Sequence, residues 1–200
     1  MVHAEEIEKI MDAEDGYLRI RSVETAGIAR AYAYQYLTAH PEIKKAAKGV
    51  YVRPDTERDR MYLISLRNKD AVFSHFSAAF LLGMTDSEPY TIMVTVPVGY
   101  NANHLKEQFV KPVFVDRENA YLGRTLAITR FGHEVPTFNE ERTICDLMRK
   151  RRQLNQDWYR KIIQDYFRRE KKDLDRLREY AKIFHISKLL DEYLILIDQN

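Results

Sequence analysis

The sequence predicts an α+β fold in two domains: an N-terminal helical module closed by a β-hairpin (residues 1–55), then a larger α+β domain with a small sheet and a helical C-terminal part (56–200). Three observations predict it. Apolar residues recur at helical spacing up to Ala39 and then give way to a glycine-centred hairpin. Pro54-Asp55-Thr56-Glu57-Arg58-Asp59 has no apolar residue beyond the proline and reads as a linker. Strand-like runs between residues 91 and 129 are followed from Glu140 by a continuous helical pattern.

Taken in order, Ile7, Ile10 and Met11 fall at i, i+3, i+4, so residues 3–14 form an amphipathic helix ended by Asp15-Gly16. Tyr17–Ile20 leads into one or two helical turns over Ser22–Ala26. Gly27-Ile28 interrupts, and Ala29–Ala39 makes a third helix with Ala33 and Leu37 on one face, stopped by Pro41. Ile43–Ala47 and Val50–Arg53 flank Lys48-Gly49 as a tight hairpin. Helix, short helix, glycine-containing turn, helix and hairpin in this order describe a winged helix-turn-helix. Beyond the linker, helices are expected at Met61–Arg67 and Ser74–Leu82, the second opened by Ser74 as N-cap. Strands are expected at Thr91–Pro97, Phe109–Val115, Ala120–Leu122 and Leu126–Thr129. Four helical stretches follow, around Ile144–Met148, Trp158–Phe167, Leu174–Phe184 and Leu189–Ile197.

Composition excludes several classes. Across 200 residues, 45% are apolar and 31% charged, which is incompatible with wholesale disorder, and 7 Gly and 6 Pro are too few for collagen-like architecture. The single Cys145 cannot form an internal disulfide. No apolar run reaches the ~18–20 residues that span a bilayer, and the acidic start lacks the order of a signal peptide, so a cytoplasmic bacterial protein without membrane contact is expected.

The net charge of +2 hides a blocked distribution. Residues 1–15 carry −5, residues 16–53 carry +5 and residues 147–178 carry +7. A clustered basic face suits phosphate, because each neutralised phosphate releases condensed counterions. In the third helix, Arg30, Tyr34, Gln35 and Thr38 fall opposite Ala33 and Leu37, where a helix in the major groove meets base edges. Tyr32 and Tyr36 are as readily explained by packing against the first helix. Lys44, Lys45, Lys48 and Arg53 lie on the hairpin, and Arg19 and Arg21 precede the module's second helix, all placed for phosphate. A second basic surface is expected from Arg149, Lys150, Arg151, Arg152, Arg168, Arg169, Lys171 and Lys172, although such a run also suits a solvated helix face.

Catalytic constellations are poor, and no catalytic residue, metal or cofactor is expected. The six histidines show no HxxxH spacing, Cys145 reads as a core residue, and phosphate-cradling glycine motifs are absent. Ser74-His75 offers a hydroxyl and an imidazole, but neighbours on a helix point apart. Arg142 and Asp146, at i, i+4, suit an ion pair.

Gly49-Val50-Tyr51-Val52-Arg53-Pro54, Ser74–Thr85 (SHFSAAFLLGMT), Val94-Thr95-Val96-Pro97 and Glu141–Leu147 (ERTICDL) occur in the order and spacing of the AbiEi-like antitoxins of type IV toxin–antitoxin, or abortive-infection, systems. The chain resembles this family from about Ile7 to Tyr193, departing from it in a tyrosine-rich third helix and in Pro41 before the hairpin. The resemblance implies an N-terminal winged helix-turn-helix that represses its own operon at promoter inverted repeats in double-stranded DNA. It also implies a C-terminal domain that counteracts a nucleotidyltransferase-like toxin without a stable complex. A monomer in solution is expected. Two other readings exist: a stand-alone winged-helix regulator with a sensing C-terminal domain, and an enzyme, against which the absence of any Gly-Ser dipeptide counts.

Overall fold

The computed structural model of the chain describes residues 2–106 and 108–198. Near the N-terminus, Ile7 and Met11 bury one stripe of α1 (Ala4–Ala13), whose opposite face keeps Glu5 and Glu6 in water. Tyr17–Arg19 forms strand β1, followed by α2 (Ile20–Thr25) and α3 (Arg30–Ala39), then by β2 (Lys44–Ala47) and β3 (Val50–Val52) around the Lys48-Gly49 turn. The three strands pair antiparallel in the order β1-β3-β2, Leu18 facing Tyr51 and Lys45 facing the same Tyr51. Ile7, Met11, Leu18, Val23, Ile28, Ala33, Tyr36 and Ile43 form the core. Gly16 sits at φ +84°, and a Cβ there would run into the Thr56 side chain, so the α1–β1 turn requires glycine.

The expected linker is tied down. The Tyr17 hydroxyl donates to the Glu57 carbonyl (3.0 Å) and accepts from the Asp59 N–H (2.9 Å). Asp59 then caps α4 (Arg60–Arg67) by accepting from the Tyr62 N–H at 3.0 Å. The chain divides into units Met1–Asn68 and Lys69–Asn200. Helix α4 therefore belongs with the N-terminal unit, where the sequence places residues 56 onward in the second domain.

The second unit is α+β. Strands β4 (Val72–Phe73), β5 (Ile92–Pro97), β6 (Val110–Val115), β7 (Arg124–Ile128) and β8 (Glu134–Phe138) make a mixed sheet in the order β6-β5-β4-β8-β7. Pairs β5–β6 and β4–β8 are parallel, β4–β5 and β7–β8 antiparallel. Helices α5 (His75–Leu81) and α6 (Asn103–Lys106) interrupt the strands. Helices α7 (Glu140–Lys150), α8 (Gln156–Arg168), α9 (Leu174–Ile183) and α10 (Ser187–Asp198) complete the unit, and Ile144, Leu147, Met148, Ile162, Ile163, Tyr166, Leu177 and Ala181 bury their common core. Among the described residues no helix is long and apolar enough to cross a membrane.

Two expectations fail here. Ala120–Leu122 is a turn, because its backbone folds into local bonds (Leu122 N–H to Asn119 O, Arg124 N–H to Tyr121 O). Ser74 occupies the N-cap position of α5 without a side-chain cap bond. Its Oγ instead lies 3.0 Å from His75 Nδ1, brought there by a left-handed His75 (φ +54°) that departs from regular helix geometry. Both residues are buried.

Candidate nucleic-acid interface

Helix α3 begins after the Gly27 turn and buries Ala33 and Tyr36, while Leu37 packs at the core's edge. The 3.6-residue period then leaves Arg30, Tyr34, Gln35 and Thr38 exposed, as the sequence predicts. The Thr38 hydroxyl is partly committed, donating to the Tyr34 carbonyl at 2.8 Å. Lys44 and Lys45 project from β2, with Lys44 Nζ donating to the Pro41 carbonyl (2.6 Å), and Lys48 stands in the turn beside Gly49 (φ +71°). Arg21 is exposed on α2. Among the described residues, Arg21, Arg30, Lys44, Lys45 and Lys48 have no carboxylate within ion-pair distance.

Arg19 and Arg53 are placed differently. Arg19 is half-buried and chelates Glu14 through Nε (2.8 Å) and Nη2 (2.6 Å), a bidentate pair that raises its pKa further. Arg53 donates through Nη1 to Asp12 (2.7 Å) and through Nη2 to Glu8, and its pKa is likewise raised, first by Asp12. Sequence reasoning missed these carboxylates. The signal lay in the −5 of α1 set directly before the +5 block. Glu8 also accepts from the hydroxyl of Tyr36, whose pKa is pushed up by burial and by that bond. Tyr32 packs edge-on against His3 at 4.9 Å.

The eight cations expected as a second basic surface separate into two clusters. Arg149, Lys150, Arg151 and Arg152 end α7 and continue into a 3-10 turn, Arg149 lying over the Phe184 ring (4.9 Å) and Arg151 donating to the Met148 carbonyl. Arg168 ends α8 and Arg169, Lys171 and Lys172 follow it, where Arg169 bonds Glu140 at the start of α7 (2.6 Å) and Lys172 Nζ donates to the Arg169 carbonyl. The clusters thus sit at opposite ends of α7, which rises about 16 Å along its length.

Within the segment Glu141–Leu147, Arg142 sits in a buried cation cage. Arg142 is 0% exposed. Its Nε donates to Asp146 (3.1 Å), its Nη1 donates to the Asn119 and Leu122 carbonyls, and its guanidinium lies between Phe138 (4.3 Å) and Phe184 (4.1 Å). Cys145 beside it is a core residue whose thiol is pushed up to about 12 by burial. Among the described residues no group of three or more His, Cys, Asp or Glu is placed to hold a metal ion.

Fold and surface together define a two-unit α+β protein with exposed cations on a small N-terminal helix–hairpin unit. No protein-family model matches the chain, and no curated protein matches it. Among solved structures it is similar to the RV2827C protein from Mycobacterium tuberculosis, at 14% sequence identity and a TM-score of 0.53, over 76% of this chain. The chain spans 62% of the length of that protein, and the likeness is one of fold.

Proposed function

We propose that the chain is an AbiEi-like antitoxin of a type IV toxin–antitoxin system: its N-terminal unit is a winged helix-turn-helix that represses its own operon at promoter inverted repeats, and its second unit counteracts a nucleotidyltransferase-like toxin. In this reading α3 is the recognition helix and β2–β3 the wing. The observation that carries it is the set of unpaired exposed cations, Arg21, Arg30, Lys44, Lys45 and Lys48, on the elements such a module presents to DNA. Exposed Arg30 and Gln35 are the side-chain types that pair bidentately with guanine and adenine. The toxin-directed half rests on the resemblance, carried in the second unit by Ser74–Thr85, Val94–Pro97 and Glu141–Leu147. Arg19 and Arg53 act by shaping the module, since Glu8 and Asp12 of α1 and Glu14 at its C-cap hold them. The chain performs no catalysis in this role, needs no cofactor, and works in the bacterial cytoplasm as a monomer between DNA encounters.

The test is growth rescue. Co-expression with a nucleotidyltransferase-like protein encoded immediately downstream restores growth if the reading holds. Promoter binding without rescue would move the assignment to a stand-alone winged-helix regulator.

A further inference from the structure

We propose that Glu8 is a positioning residue, locking α3 and the β2–β3 hairpin into the single orientation in which both reach one DNA duplex; this rests on the DNA-binding reading above. One carboxylate on α1 bonds to two elements that follow one another through the short Ala39–Lys44 connection and meet in the core through Tyr36, Ile43 and Tyr51. From α3, the Tyr36 hydroxyl donates to Glu8. From the end of β3, Arg53 Nη2 donates to Glu8 while Nη1 reaches Asp12 at 2.7 Å. The Arg53 N–H also holds the α1–β1 turn through the Gly16 carbonyl (3.1 Å). Tyr36 is 1% exposed, so its ring cannot itself reach DNA and its hydroxyl acts through Glu8. Bonds to an ionised carboxylate are short and directional, so two of them on one group fix an angle as well as a distance.

The sign of the effect separates positioning from simple electrostatics. Removing an acidic side chain beside a cationic surface strengthens non-specific DNA binding if charge alone matters. Removing Glu8 weakens it if the helix and hairpin must engage phosphates together. Alanine is the best helix former, so Glu8→Ala does not weaken α1 through propensity. Glu5, exposed on the same helix, provides a matched charge control.

The experiment is fluorescence anisotropy of the full chain with a mixed-sequence duplex of about 30 base pairs, titrated with salt. Glu8→Ala and the charge-neutral Tyr36→Phe are expected to bind roughly five- to tenfold more weakly, with a salt slope shallower by about 1 to 2, the loss of one or two phosphate contacts. Glu5→Ala binds as tightly as the parent or tighter. Folded Glu8→Ala protein that matches Glu5→Ala in affinity overturns the proposal. Should Glu8→Ala fail to fold, parent-like affinity and slope in Tyr36→Phe overturn it instead. Absence of binding by the parent protein overturns the DNA reading itself, a failure visible before any substitution is made.

Discussion

Arg142 shows what a single buried charge demands. Its cost of burial is offset by Asp146, two carbonyls and two aromatic faces, and removing the cation leaves the buried Asp146 with only the longer ion pair to Arg149 at 3.8 Å. Arg142→Ala is expected to lower stability by about 3–5 kcal/mol in urea denaturation; a change below about 1 kcal/mol would refute the cage as a stabilising centre. The i, i+4 spacing made the Arg142–Asp146 pair legible. The cage was not, because Phe138, Phe184 and the Asn119–Leu122 turn reach Arg142 only through tertiary packing. His75 yields a pH prediction. Burial pulls its imidazole down to about 4 against the nearby Asp146, whereas an unfolded chain titrates near 6.5. Between those values the unfolded state binds the additional proton, so stability is fully present above pH 6.5 and is lost as pH falls toward 4, on the order of 3 kcal/mol in all. His75→Asn, which tolerates the left-handed backbone, should flatten that part of a pH–stability profile.

Among the elements, helices with a strong apolar stripe were legible to within a few residues, and so was the hairpin, whose Gly49 adopts positive φ. Strand β8 was hidden by Pro136, which argues against a strand interior, and β4 by having only two residues. The candidate interface was legible where it depends on helix periodicity, at Arg30, Tyr34, Gln35 and Thr38. It was illegible where carboxylates across the fold claim a cation, at Arg19 and Arg53. Replacing Lys44, Lys45 and Lys48 together by alanine is expected to make the salt slope of DNA binding shallower by about 2 to 3 while leaving urea stability within about 0.5 kcal/mol, since all three are exposed. An unchanged slope would remove the hairpin from the interface.

For the whole molecule, a net charge of +2 resolves into an acidic first helix, a cationic stretch over residues 16–53 that it offsets within the N-terminal unit, and two separate basic clusters at the ends of α7. Carboxylates of the acidic helix and of its C-cap Glu14 hold Arg53, Tyr36 and Arg19. The unit boundary at Asn68 sets the truncation to make. A Lys69–Asn200 fragment is expected to fold cooperatively, to lose DNA binding and to retain growth rescue against the downstream toxin. Retention of DNA binding by that fragment would place the interface on the basic clusters around α7.

DNA binding by the N-terminal unit is tested most directly by the affinity of the full chain for a duplex from its own upstream region, compared with a variant carrying Arg30→Ala, Lys44→Ala, Lys45→Ala and Lys48→Ala. The parent is expected to bind this duplex well above a scrambled one, and the variant to lose at least about a hundredfold, with a shallower salt slope. Equal binding of the two proteins, or no preference of the parent for the upstream sequence, would contradict this expectation.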